Sequence, residues 1–309
     1  METKWLEDFV SLAETRSFSR SAQLRHVTQP AFSRRIQALE AWAGVDLVDR
    51  SSYPTTLTPA GQTLYDQALE LLQSLQSTRA MLRGHDAAAQ DFIEFAVPHT
   101  LAFTFFPAWL SGLRENFGLL KSRLIALNVH DAAMRLAEGG CDLLIAYHHP
   151  SQPLQLDPER YDMVVLGEEL LAPYVKPGPD GQPLYRLPGQ ANRPLPYLGY
   201  APGAYLGGVT DWILKQWGVP IHLDRVYETD MAEGLKVMAV EGHGVAFLPS
   251  SAVRKELQTG QLVSAGGPMD TLPSHSMQLR AYRAHPGTRG VVKRGAQELW
   301  DFLARQHAS

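Results

Sequence analysis

Residues 17–45, SFSRSAQLRHVTQPAFSRRIQALEAWAGV, decide how the rest of the chain is read. From Gln29 onward the stretch predicts a helix. At about 100° per residue, Phe32, Ile36 and Leu39 fall on one side, while Gln29, Pro30, Ser33, Arg34 and Gln37 spread over the other. Thr28 suits the N-cap, and Pro30 lies in the first turn, where its missing N–H breaks no bond. The polar side therefore offers an amide, a hydroxyl and a guanidinium near its N-terminus. Those groups match base edges in the DNA major groove: arginine reads guanine, glutamine reads adenine, and serine serves either. In isolation, the solvated face of an ordinary amphipathic helix would look the same.

The flanking residues separate the two. Ser17 to Arg25 forms a second short helical pattern with Phe18, Ala22 and Leu24 inward and Val27 in the following turn. Trp5 to Glu14 places Leu6, Phe9, Val10 and Ala13 on one face. Three short helices, the last two joined by a tight turn, make a helix-turn-helix unit. Between Arg16 and Arg35 there are five arginines and no acidic residue, within a chain of formal net charge −4. A local basic footprint on an acidic protein suits a DNA-binding head, not a module used only for assembly.

The phrases SFSRSAQ, VTQPAFSRRIQALE, GVDLVDR and LTPAG, at these spacings, resemble the LysR-type transcriptional regulators. The resemblance implies a winged helix-turn-helix over residues 1–58 with operator DNA as partner. Gln29, Ser33 and Arg34, with Pro30 among them, are expected to meet base edges. Thr28, Arg35 and Arg50 are expected to meet phosphates. Val45 to Leu57 reads as the two strands of the wing around Ser51-Ser52-Tyr53-Pro54. Val48 and Tyr53 depart from the phenylalanine and the basic residue usual in the family.

Leu57-Thr58-Pro59-Ala60-Gly61 then opens a long helix, expected over 59–84, with Thr58 as cap and Pro59 in the first position. Leu64, Ala68, Leu71, Leu75, Thr78 and Leu82 recur at alternating spacings of four and three, a heptad seam. The alternative use of such a stripe is docking on a neighbouring domain. The resemblance favours a linker helix that pairs subunits through Leu64, Leu71, Leu75 and Leu82, giving a homodimer or homotetramer, and it raises RNA polymerase as a further partner. Residues 85–90 read as a loose linker.

From residue 91 strands and helices alternate, which implies parallel sheets with right-handed crossovers. A first lobe is expected over 91–165 and 277–309, and a second over 166–276. This is the plan of a two-lobed α/β regulatory domain of the type 2 periplasmic-binding kind, and EGGCDLLIAY and GHGVAFLP resemble the family's regulatory phrases. In such a domain a small-molecule effector sits between the lobes, against strand ends and helix N-termini. His99, Thr100 and Leu101, Tyr147, Ala204 and Tyr205, and Thr229 and Met231 are the expected lining. Thr100 is the leading anchor, its other role being to cap its own helix.

Composition bounds the remainder. With 45% hydrophobic and 19% charged residues, the chain can bury more than one core. A single cysteine, Cys141, excludes an internal disulfide and fits a reducing cytoplasm. METKWLEDF lacks the basic flank and apolar run of a signal peptide, and no stretch has the length of a membrane span. No metal or cofactor is expected. His148-His149 point to opposite sides of an extended segment, and no G-x-S-x-G, Walker or H-E-x-x-H motif occurs, so an enzyme is not expected. The stretches ETKWLEDF, AFSRRIQALE, DMAEGLKVMAVEGHGVAFLP and KELQTGQLV are similar to the hypochlorite-responsive branch of the family. That branch senses oxidant through methionines. Leu113 and Leu206 stand here in two of the methionine places, leaving Met231 for a redox role.

Overall fold

The structure, a computed structural model, describes residues 2–51, 54–82, 92–154, 156–266, 276–286 and 292–306. The wing tip with Tyr53 and the linker at 85–90 lie outside the described residues.

The head is built from α1 (Thr3–Thr15), α2 (Phe18–Leu24) and α3 (Gln29–Ala43). The Ser17 hydroxyl caps α2 by accepting from the Arg20 N–H. α3 starts at the N-cap residue Thr28, whose side chain makes no cap hydrogen bond, and ends at Gly44 with φ 73°. That left-handed terminus is open to glycine at no steric cost. Strands β1 (Val48–Asp49) and β2 (Thr56–Leu57) pair antiparallel as the wing. α4 (Pro59–Leu82) follows, with Gly61 N–H donating to the Thr58 hydroxyl at 3.0 Å. A Cβ at Gly61 would lie 1.9 Å from the Leu47 carbonyl oxygen, so only glycine lets the linker helix sit on the wing's root.

Phe9, Phe32, Ile36, Leu39 and Leu47 form the head's fully buried centre. Beside them Asp8 is buried completely. Its carboxylate accepts from Arg25 Nε at 2.8 Å and Arg35 Nη1 at 3.0 Å, and Arg25 also reaches Glu7. The stretch from Arg16 to Arg35 is free of acids in sequence but not in space, because α1 supplies the counter-charges. Removing one side of a buried pair strands a charge, at about 3–5 kcal/mol. Arg25 and Arg35 thus serve first to lock α2 and α3 onto α1.

The linker seam divides. Ala68 is fully buried in the head's own core and Leu64 packs against that core, whereas Leu71 and Leu75 are 46% and 52% exposed. The side chain of Leu82 is outside the described residues.

The remaining chain forms one mixed sheet spanning two lobes. β3 (Ile93–Pro98), α5 (His99–Thr104), α6 (Phe106–Asn116), β4 (Ser122–Leu127), α7 (Val129–Ala137) and β5 (Leu143–His148) build the first lobe. Between Pro98 and Phe117 the chain forms two helices, broken at Phe105. β6 (Tyr161–Val175) crosses between lobes, followed by β7 (Leu195–Tyr200), α8 (Tyr205–Lys215), β8 (Leu223–Thr229), α9 (Ala232–Glu241), β9 (Val245–Pro249), a 3-10 turn (Ser250–Val253), α10 (Arg254–Gln258) and β10 (Val263–Ser264). β11 (Ser276–Ala284) returns, and α11 (Arg294–Gln306) ends on the first lobe.

Strand order is β4-β3-β5-β11-β6-β9-β7-β8, with β10 also on β6. β3 is parallel to β4 and β5, and β7 to β8 and β9, while β11 runs antiparallel to β5 and β6. β6 pairs with β11 over Tyr161–Leu170 and with β9 over Leu171–Tyr174, so the lobes change hands within one strand. Lys293 ties the C-terminal segment to the first lobe through Asp142 at 2.8 Å and the Phe92 carbonyl at 2.9 Å. No described helix is long and apolar enough to cross a membrane.

Candidate functional site

Two surfaces carry the sequence expectations. On α3, Thr28, Gln29, Pro30, Arg34 and Gln37 are exposed and Ser33 is half-buried, so the polar arc faces outward together. Arg34 makes no ion pair among the described residues. Arg35, by contrast, is committed to Asp8, and Arg50 to Glu40 at 2.7 Å with its guanidinium over the Phe18 ring. Glu40 also accepts from the N–H groups of Leu47 and Val48, so it anchors the wing and holds Arg50 at once.

The second surface is a cavity of about 740 Å³ between the lobes. It lies beyond the carboxyl ends of β3, β4, β5, β7 and β8, where a ligand meets helix starts and strand ends in open α/β sheets. His99, Thr100, Tyr147, Ala204, Tyr205, Thr229 and Met231 all line it. Leu101 does not. It faces the opposite side of α5 and is fully buried in the first lobe's core, where a helical step of about 100° takes it away from Thr100.

Thr100 is 7% exposed and does not cap its helix, since Pro98 occupies the N-cap. Tyr147 is buried at the cavity floor, its hydroxyl without a hydrogen-bond partner among the described residues. Its ring stacks on Tyr205 with centroids 6.3 Å apart. The Tyr205 hydroxyl accepts from the His149 backbone N–H at 2.7 Å, leaving its own proton to point elsewhere. Burial pushes both phenols well above their usual range, so they act as donors. The Thr229 hydroxyl faces the Met231 N–H at 3.4 Å, and Met231, the N-cap of α9, is 41% exposed. Its thioether is accessible and does not fill a gap in the core.

Sequence reasoning missed Gln152, Asn128 and His130 on the same walls, and Arg20, Gln23 and His26 from the head. Asn128 and His130 open α7 after β4, so the strand-end rule applied to that crossover would have found them. Nothing in the sequence signalled the head residues. His130 buries its Nε2 without a hydrogen-bond partner among the described residues, and burial lowers its pKa to about 4, Arg20 and Arg25 adding to the effect. His149 is not a metal ligand candidate: its ring bonds Ser151 at 2.6 Å and lies edge-on to Trp212. No group of three or more metal-ligating side chains occurs among the described residues.

A winged helix-turn-helix head joined by a long helix to a two-lobed domain with an interior cleft defines a DNA-binding regulator controlled by a bound signal. The LysR family helix-turn-helix matches residues 3–62 and the LysR substrate-binding domain matches residues 87–308. The chain belongs to the LysR family of transcriptional regulators. It is 33% identical to the HTH-type transcriptional regulator YjiE of Escherichia coli K12 over 97% of this chain and 94% of that protein. Full-length HypT of Salmonella typhimurium, a hypochlorite-specific LysR-type regulator, is 30% identical with a TM-score of 0.58, covering 100% of this chain and 98% of that one. Vibrio fischeri DarR, solved in complex with DNA, is 29% identical with a TM-score of 0.58 and covers 98% of each chain.

An unpartnered buried hydroxyl costs stability until something accepts from it. Tyr147→Phe should therefore leave the ligand-free protein as stable or up to about 1–3 kcal/mol more stable. Denaturant unfolding of the isolated full-length protein checks this. A clear loss of stability would mean that the hydroxyl is already satisfied.

Proposed function

We propose that this LysR-type regulator reads its operator through the outward arc of α3 and is controlled by a small molecule held between the lobes. The observation that carries the effector half is the floor of the cleft. Thr100 and Tyr147 place hydroxyls there beside apolar walls (Pro98, Leu154, Leu156 and Leu206), with the Tyr147 hydroxyl unpartnered. A few placed polar groups in a mostly apolar concavity are what a specific small-ligand site needs. Hydroxyl donors suit a ligand oxygen, as in a carboxylate or carbonyl.

For DNA, the division of labour follows the ion pairs. Gln29, Ser33 and Arg34 read bases, Thr28 meets a phosphate, and Arg35 and Arg50 support the head from their pairs with Asp8 and Glu40. Arg50 is near enough to the wing to share its charge with a phosphate. Leu71 and Leu75 on the exposed flank of α4 pair subunits, and contact with RNA polymerase is the downstream step this reading implies. The cytoplasm is where such a protein acts.

A second reading has a specific observation behind it. Met231 is exposed at the cavity wall, and one similar structure is a hypochlorite-specific regulator. Oxidation of its thioether to the sulfoxide would place a polar, larger group at the start of α9.

Arg34→Ala should weaken operator binding by about 1–3 kcal/mol and relax sequence preference. Titrations on operator and scrambled DNA measure both, and an equal loss on the two DNAs would remove Arg34 from the base-reading set. For assembly, the double variant Leu71→Asp, Leu75→Asp buries two charges in an apolar seam and should dissociate the paired linker helices. Sedimentation showing unchanged mass together with unchanged DNA affinity would assign the seam to one chain. For the signal, Thr100→Val keeps shape but deletes a hydroxyl, worth about 1–3 kcal/mol to a buried ligand oxygen. Basal footprints should persist and the effector-dependent change should vanish. If instead Met231→Leu alone abolishes a response to hypochlorite and Thr100→Val changes nothing, the redox reading replaces the ligand one.

A further inference from the structure

The cavity is not enclosed by the two lobes alone. Its outer wall includes Glu14, Arg20, Gln23, Leu24 and His26 from the head of the same chain. Two separate contacts hold the head there. In the first, Met134 of α7 is 8% exposed and belongs to the head's apolar cluster with Leu6, Phe9 and Leu12. α7 thus buries one side on the regulatory sheet and another on the DNA-binding head. In the second, Arg160, in the segment leading into β6, pairs with Asp66 of α4 at 3.0 Å. Its guanidinium also lies over the Tyr65 ring, 4.8 Å from the centroid. The Tyr65 hydroxyl in turn bonds Glu14 on α1. Leu69 of α4 packs against both the head cluster and the regulatory core.

The position of the contact matters more than its extent. Arg25, His26 and Val27 form the turn that sets α3 relative to α2, and His26 holds φ at 52°, a left-handed conformation that a non-glycine residue adopts at a cost. Of that turn, His26 lies on the cavity wall, two residues before Thr28, the N-cap of the recognition helix. The docked head nevertheless keeps Gln29, Pro30, Arg34 and Gln37 exposed. Docking therefore leaves the DNA face open while fixing its direction relative to the lobes.

We propose that the first lobe docks in cis on its own DNA-binding head through α7 and Arg160, so that the turn preceding the recognition helix forms one wall of the effector cavity. A change of closure between the lobes would then reach the recognition helix through a shared wall and need not travel along the linker helix. The docking stands without any effector; its part in signalling rests on the cleft reading above.

The test uses the full-length oligomeric protein without ligand. Asp66→Cys and Arg160→Cys are introduced together in a Cys141→Ser background and treated with a short bismaleimide. The expected product is a species of monomer mass on denaturing gels whose digest contains a peptide linking residues 66 and 160. Covalent dimers would show that the head of one subunit docks on another, and would overturn the proposal. So would the absence of a link both in this pair, which replaces Arg160, and in Gln23→Cys with Ala133→Cys, which keeps it, in protein that folds and sediments like its parent. If the first pair disturbs folding, Gln23→Cys with Ala133→Cys, at positions that line the same cavity from the head and from α7, is read out in the same two ways. The link should form equally well in a Thr100→Val background, so failure of docking and failure of the cleft-ligand reading are separable.

Discussion

Everything in the regulatory domain depends on the ladder between β6 and β11. One long strand runs from Tyr161 to Val175, paired with the returning strand for its first ten residues and with the second lobe thereafter. Two lobes tied by a continuous pair of strands can tilt about the pair but cannot separate. Buried Glu169 reinforces the crossing, accepting from the Ser250 hydroxyl at 2.7 Å and the Ser251 N–H at 3.1 Å. A carboxylate bonded in this way pins the turn after β9 to the crossing strand, and the cleft inherits its shape from that hinge. The cleft is then a consequence of topology: strands whose carboxyl ends converge leave helix starts facing one another across a gap.

The head obeys a different constraint. A small three-helix unit has little apolar surface to bury, and it places a fully buried carboxylate at its centre. Asp8 is tolerated because Arg25 and Arg35 reach it with near-ideal hydrogen-bond lengths. The arrangement converts two of the five arginines from DNA contacts into structural ties and leaves Arg34 outward. Charge counting along the chain sees one basic patch, whereas in the folded head Arg25 and Arg35 are tied to Asp8 and Arg34 stays exposed.

Between head and lobe the polar groups are held in uncommon states. Burial raises the Glu14 carboxyl to about 7, partly offset by the Tyr65 hydroxyl and Arg160, and raises Glu138, near Glu7 and Arg25, to about 7 as well. Carboxyls with raised values favour the folded chain in its protonated form. Their contribution is complete below their ordinary range near 4.5 and fades as pH rises through about 7. The interface thus combines an apolar contact at Met134 with the Arg160–Asp66 ion pair.

The sequence by itself determined the periodic and locally capped elements. The α3 face, the Thr58 cap, the Gly44 terminus and the strand-helix alternation after residue 92 are written in spacing and in residue types whose backbone preferences act within a few positions. The same alternation located the cleft, because strand ends and helix starts are local facts. Tertiary structure decided what local rules do not encode. Leu101 neighbours Thr100 in sequence, yet one helical step turns it into the core. Arg35 neighbours Arg34, yet Asp8, 27 residues away, claims it. Ala68 fits the heptad of Leu71 and Leu75 but is buried by its own head. The seam therefore changes partners partway along the helix, and the head's place on the cleft wall follows only from contacts between residues distant in sequence.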